Sequence, residues 1–246
     1  MKAKQIPPNL VTLTSLVAAL LALQAVHVDM FVVAAWLIVL SMLCDGLDGK
    51  LARTLGASTH FGAEFDSLSD FVAFGVVPGF LAWRVGLHQF GVMGAVVAIA
   101  FVVAGGLRLA RFNIKNDDLE SKKPFEGLPI PSAAGMVASL VILQLQTRLL
   151  PNADVWLLVI VACMTLLMIS SIEYPPIDRR ELHSLKARAL GALALAVLGL
   201  AFWFPHYVFF GVMSLYVLWG VLRQAACSLH LYKPAGGEQD NNCKDG

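Results

Sequence analysis

Charge is the scarcest property of this 246-residue chain. Asp, Glu, Lys and Arg make up 14% of it, against roughly a quarter in an ordinary soluble domain. A water-soluble globule would have to hide too much apolar surface, and a disordered chain needs the opposite composition. The two signs nearly cancel, leaving a formal net charge of +1, so nothing points to nucleic-acid binding. Cysteine is scarce too. Cys44, Cys163, Cys227 and Cys243 have no paired spacing, which argues against a disulfide frame or a zinc site. The six His are scattered, with no second His at ligand spacing on one helix face. No repeat and no soluble domain is visible.

What the chain has is apolar length. It is 58% hydrophobic with a mean hydropathy of +0.72. The expected class is an all-α polytopic membrane protein, because a spanning helix needs about 20 mostly apolar residues. Eight blocks qualify: 8–27, 30–52, 66–86, 89–111, 130–150, 153–173, 187–203 and 206–226. The first has a basic start at Lys2 and Lys4 but no small-residue cleavage site after it, so it reads as a span and not a cleaved signal. Short links at 27–29, 86–89, 150–153 and 203–206 predict antiparallel hairpins.

Basic residues favour the cytoplasmic side. With the N-terminus there and eight alternating spans, 16 of the 18 Lys and Arg fall on the cytoplasmic side; Arg84 and Arg148 fall on the other. The C-terminus is then cytoplasmic, and 234–246 reads as a disordered tail. The expected organisation is a six-helix core over 1–174, two further spans over 175–233, and that tail.

Ionisable groups within membrane helices are costly and usually functional. Asp45 and Asp48 end the second span, and Asp66 and Asp70 open the third. The i,i+3 and i,i+4 spacings put each pair on one helix face. With a short connection over 54–62, four carboxylates from two antiparallel helices can converge near a membrane boundary. Unneutralised, they would repel strongly in a low dielectric. Lys50 and Arg53 could neutralise part of the charge; a divalent cation with hard oxygen ligands, Mg²⁺ or Mn²⁺, is the more economical solution. Gly46, Gly49 and Gly62 would let a phosphate or a second backbone come close. Metals beside close-approach glycines suit phosphoryl transfer. Acids that merely end helices, or that line an ion pathway in a divalent-metal transporter, are the competing readings; a pathway predicts acids at mid-membrane depth and broken helices.

The pattern Asp45-x-x-Asp48-Gly49-x-x-Ala52-Arg53, eight residues, Gly62-x-x-x-Asp66-x-x-x-Asp70 resembles the CDP-alcohol phosphotransferase signature at all eight of its fixed positions. Further resemblance lies in Pro8-Asn9-x-x-Thr12, in Asp66–Pro78, in Arg108-Leu109-Ala110-Arg111-Phe112-Asn113 and in Gly127-Leu128-Pro129-Ile130-Pro131, which are similar to the phosphatidylserine synthase branch of that family. The resemblance covers about 6–135. It implies a membrane transferase of phospholipid biosynthesis, multi-pass in a bacterial inner membrane, with its site at the cytoplasmic face. The donor would be CDP-diacylglycerol, the acceptor L-serine and the product CMP; glycerol 3-phosphate, inositol phosphate or choline would be the acceptor in other branches.

It further implies that Asp45, Asp48, Asp66 and Asp70 hold two divalent cations per subunit, that Asp70 is the general base, and that the protein is a homodimer among membrane lipids. Asn9, Thr12, Gly49, Ala52, Arg53 and Gly62 would bind the CDP-diacylglycerol. Asn9 also fits a plain helix N-cap, and Arg53 a snorkelling side chain. Arg108, Arg111 and Asn113 would bind the serine carboxylate or a phosphate, since Arg suits both; positive-inside anchoring is the plainer role for the two arginines. Gly105, Gly106 and Gly75-x-x-x-Gly79 read as helix-packing positions, and Pro78 as a kink.

Overall fold

The computed structural model describes residues 6–56, 59–117, 127–170 and 203–228. Among them there are helices and no strand. In order they are α1 (Ile6–His27), α2 (Phe31–Leu55), α3 (His60–Asp70), α4 (Val77–Val85), α5 (Gly91–Asp117), α6 (Ile130–Thr147), α7 (Ala153–Ile169) and α8 (Pro205–Ser228). A π-helical segment, Phe71–Val76, makes α3 and α4 one continuous rod, and a 3₁₀ turn, Leu87–Phe90, leads into α5.

Six rods are long and apolar enough to cross a membrane: α1, α2, α3–α4, α5, α6 and α8. Helix α7 is apolar but shorter, 17 residues. The block expected at 187–203 and the tail at 234–246 lie outside the described residues. The third span differs from expectation at its start. It begins at His60, not near residue 66, because Thr59 caps it: Thr59 Oγ1 accepts from the Gly62 amide at 3.0 Å, satisfying a donor that the first helical turn leaves unpaired. Helix α2 meanwhile continues to Leu55, so the link between the two acid-bearing helices is shorter than the sequence suggests.

The packing follows residue size. Ala18, Ala19, Ala22 and Ala25 of α1 and Ala34 and Ala35 of α2 are buried, while Leu13, Val17, Leu20 and Leu21 of α1 face outward. Small side chains let two backbones approach closely, which is the main attraction between helices when the surroundings are as apolar as the side chains. Two reciprocal hydrogen bonds pin the same interface: Ser15 Oγ donates to Ser41 O at 3.2 Å and Ser41 Oγ to Ser15 O at 3.0 Å. Helix α6 is the central element; every residue from Ala133 to Leu143 is buried, as expected of a helix apolar all round.

The glycines expected to pack helices do so. A Cβ on Gly79 would lie 2.7 Å from Val102 Cγ2, and one on Gly105 2.7 Å from Ile130 Cδ1, so α4 and α6 both reach α5 through these gaps. Pro78 does not break its rod. It cannot donate to the carbonyl four residues back and its ring crowds that turn; the π segment just before it widens the helix, with the Val77 amide bonded to Val72 O. A π turn adds one residue to the register. Before it, Asp66 faces Asp45 and Asp48 of α2; along and beyond it, Gly75 and Gly79 face α5.

Candidate active site

The site begins with α2 and α3 lying side by side. Asp45, Asp48 and Asp66 each offer a carboxylate oxygen to one spot, with those atoms within 4.8 Å of one another. Asp48 is 3% exposed. Its Oδ2 accepts from Thr12 Oγ1 at 2.8 Å, whereas its Oδ1 is buried with no hydrogen-bond partner. An unsatisfied buried carboxylate oxygen is expensive, and this one belongs to the acid cluster. None of the acids forms an ion pair among the described residues; the ion pair found there joins Arg84 to Asp29.

Three carboxylates, one of them holding an orphaned oxygen, with no ammonium or guanidinium bonded to them among the described residues, match the donor chemistry of a hard divalent cation. The residues therefore fit a metal site. Asp70, one helical turn beyond Asp66, is not among the three converging carboxylates, but it lies within electrostatic range of all of them.

Thr12 links three helices. Its hydroxyl holds Asp48 on α2, and its carbonyl accepts from Ser69 Oγ of α3 at 3.5 Å. Asn9 stands one turn earlier on α1, and its Oδ1 would be 3.3 Å from a Cβ added to Gly62. Gly62 thus admits both Asn9 and the capping hydroxyl of Thr59, which lies 3.0 Å from that position. Gly46 and Gly49 are different. A Cβ at either would meet nothing within 4 Å, so no packing among the described residues requires a glycine there, and both border open space beside the acids. Ala52 and Arg53 continue α2; their side chains lie outside what is described.

The Arg108–Asn113 motif divides by contact. The Arg108 guanidinium carbon sits 5.4 Å from the centre of the Phe112 ring, a cation–π arrangement, and Asp70 and Asp45 are within its electrostatic range. Arg111 is exposed and donates from Nη1 to Ile169 O at 3.1 Å, tying α5 to the end of α7. Asn113 Nδ2 donates to Ser67 Oγ at 3.0 Å, next in sequence to Asp66, and so joins α5 to α3.

Gly127 and Leu128 close the same end of the bundle. The Leu128 amide donates to Leu167 O at 3.1 Å. Gly127 adopts φ +83° with Met168 O only 2.6 Å from where a Cβ would be, so no side chain fits. Sequence reasoning missed Ser15, Ser41, Ser67 and Ser69, whose hydroxyls tie the acid-bearing helices to their neighbours. The available signal was small polar residues a few positions from each acid, on faces otherwise apolar.

Comparison with known proteins bears on the same residues. The family model described as CDP-alcohol phosphatidyltransferase matches residues 5–167. A relative from Helicobacter pylori (strain ATCC 700392 / 26695), named CDP-diacylglycerol–serine O-phosphatidyltransferase, is 37% identical over 217 residues, covering 88% of this chain and 90% of its own. Proteins of the same name from Methanocaldococcus jannaschii and Bacillus subtilis (strain 168) are 36% and 34% identical. They cover 76% and 73% of this chain and 82% and 96% of their own.

Proposed function

This chain belongs to the CDP-alcohol phosphatidyltransferase family, and we propose that it transfers the phosphatidyl group of CDP-diacylglycerol to the hydroxyl of L-serine, releasing CMP. Membership makes it a transferase, and its apolar helices make it a multi-pass membrane protein. The observation that carries the reading is the convergence of Asp45, Asp48 and Asp66 within 4.8 Å, with Asp70 one turn away, at the four acidic positions of the signature. The choice of serine is supported by the names of relatives that span most of this chain.

Asp45, Asp48, Asp66 and Asp70 would hold divalent cations, Mg²⁺ or Mn²⁺, two per subunit. Bound there, such cations supply positive charge to the donor's diphosphate, making the lipid-side phosphorus electrophilic and stabilising the departing CMP. Thr12 keeps Asp48 turned so that one oxygen remains for the cluster. Gly46 and Gly49 leave room for the diphosphate beside α2, and Asn9, Gly62, Ala52 and Arg53 would bind the nucleotide end, as the signature positions they occupy imply. Asp70 accepts the proton of the serine hydroxyl as its oxygen bonds to phosphorus; the bond from phosphorus to the CMP oxygen breaks, and its electron pair leaves with CMP. Arg108 takes the serine carboxylate, with Arg111 and Asn113 at the same end of α5.

The donor's acyl chains stay in the bilayer, and serine arrives from the cytoplasm at a site on the cytoplasmic side of the inner membrane, the side the basic residues favour. Two copies form a dimer. The test is CMP release by the purified protein in detergent with Mg²⁺ or Mn²⁺ and CDP-diacylglycerol, with serine, glycerol 3-phosphate, inositol phosphate and choline offered separately. Release with serine alone is expected. Release with another acceptor alone would overturn the choice of serine, and cation flux without CMP release would replace the enzyme by a transporter.

A further inference from the structure

Helix α3 carries two serines between its two acids, Asp66-Ser67-Leu68-Ser69-Asp70, and each serine bonds to a different neighbouring helix. Asn113 Nδ2 of α5 donates to Ser67 Oγ at 3.0 Å, and the same hydroxyl lies 3.3 Å from Asn113 Oδ1. Both ends of the carboxamide thus reach one oxygen, so the bond survives either assignment of the amide. On the other flank Ser69 is 1% exposed, and its Oγ donates to Thr12 O of α1 at 3.5 Å. That bond is at the limit of hydrogen bonding, which makes the Ser67–Asn113 pair the firmer tie.

Helical geometry gives these ties a direction. At about 100° per residue, Asp66 and Asp70 point about 40° apart, and Ser67 and Ser69 stand about 80° to either side of the line between them. The acid face is therefore bracketed, with α5 holding one flank and α1 the other. A helix tied on both flanks cannot roll either way without stretching a bond. The lever is long: carboxylate oxygens stand about 6 Å from a helix axis, so a roll of about 20° moves one by about 2 Å. That is the length of a whole Mg²⁺–oxygen bond. The need is greatest at this turn. The π segment begins at Phe71, directly after Asp70, so the helical register changes one residue past the acids. Helix α5 packs on that segment and on α4, and Asn113 carries the contact back to the turn that holds Asp66.

We propose that Asn113 is a positioning residue for the cation site. Through Ser67 it fixes the rotation of α3, and with it the direction in which Asp66 and Asp70 present their oxygens to Asp45 and Asp48. Its carboxamide is spent on α3, so it orients metal ligands and does not contact the acceptor. The inference rests on the proposed reaction only in taking the acids to hold a divalent cation, and it is the same for any acceptor hydroxyl.

The test is direct Mn²⁺ binding to the purified protein in detergent, read from the electron paramagnetic resonance of the free ion. Serine kinetics at saturating Mn²⁺ and thermal unfolding are measured beside it. Asn113→Ala is expected to weaken Mn²⁺ binding about tenfold, within the usual scale for groups that orient metal ligands, with the serine KM little changed. Ser67→Ala removes the same bond and should do the same. The double variant should be no worse than either single change, because coupled residues are not additive. Ser67→Thr keeps the hydroxyl and should bind Mn²⁺ nearly as the wild type does.

Gly105→Ala, also on α5, is the packing control: it should lower the unfolding midpoint with Mn²⁺ affinity unchanged. The proposal is overturned if Asn113→Ala behaves like that control, if it raises the serine KM while Mn²⁺ affinity stays, or if the two single losses multiply in the double variant. Should Asn113→Ala fail to fold, Ser67→Ala and Ser67→Thr are judged by the same criteria. If the wild type uses another acceptor, that acceptor's KM takes the place of serine's. Mn²⁺ binding that the variants retain in full overturns this proposal alone; a wild type that binds no Mn²⁺ overturns the metal reading of the acids and the proposal with it.

Discussion

Thr12 donates its hydroxyl to one oxygen of Asp48 across the α1–α2 interface at 2.8 Å, leaving the other oxygen of that buried carboxylate without a partner. A residue outside the acid cluster therefore decides which way one of its members points. Thr12→Val keeps the shape and removes the donor. Groups that orient metal ligands are typically worth 10–100-fold in metal affinity, and the expected result is a shift of about that size in the Mg²⁺ or Mn²⁺ concentration giving half-maximal CMP release. Thr12→Ser should stay near the wild type, which separates hydrogen bonding from packing.

Removing metal tests the cluster itself. Chelation is expected to abolish CMP release, and Mg²⁺ or Mn²⁺ to restore it. Because a ligand that binds only the folded state stabilises it, added cation should also raise the unfolding midpoint of the wild type. In Asp48→Asn that rise should be lost, a readout independent of turnover.

Asp70→Asn should lower turnover by about 10²–10⁴, the usual contribution of a positioned base. Binding of CDP-diacylglycerol, measured directly, should change much less. Equal loss of both would argue that Asp70 serves the donor and not the acceptor hydroxyl.

The glycines separate into two kinds that a single substitution can distinguish. Gly49→Ala meets no protein atom within 4 Å, so it should stabilise its helix by about 0.5–1 kcal/mol while raising KM for the donor. Gly105→Ala would press on Ile130 and should cost about 1–3 kcal/mol, read as a lower unfolding midpoint with the remaining activity showing an ordinary donor KM.

The convergence of Asp45, Asp48 and Asp66 and the hairpin that carries it were legible from sequence because they depend on local spacing: i,i+3 and i,i+4 fix a face whatever the rest of the fold does, although Asp70, expected with them, stands one turn outside the converging three. The packing glycines were legible for the same reason. Other features depend on what lies across an interface. Nothing near Ser15 announces Ser41, and nothing near Asp48 announces that Thr12 will reach it. The early start at His60 depended on a capping threonine within a polar link, where hydropathy is a poor guide. The π segment accompanies Pro78, but neither its length nor its start is marked in the residues themselves. Arg108 and Arg111 look equivalent in the sequence; only tertiary packing turns one toward the acids and the other onto the end of α7.

All four acids belong to consecutive helices joined across Gly56–Thr59. This pair is synthesised before α5, α6 and α8, so in that interval Arg108 does not yet exist to face the carboxylates. Their mutual repulsion is then open to relief by protons or cations from the surrounding solution. The later helices close around acids whose charge balance that solution has set.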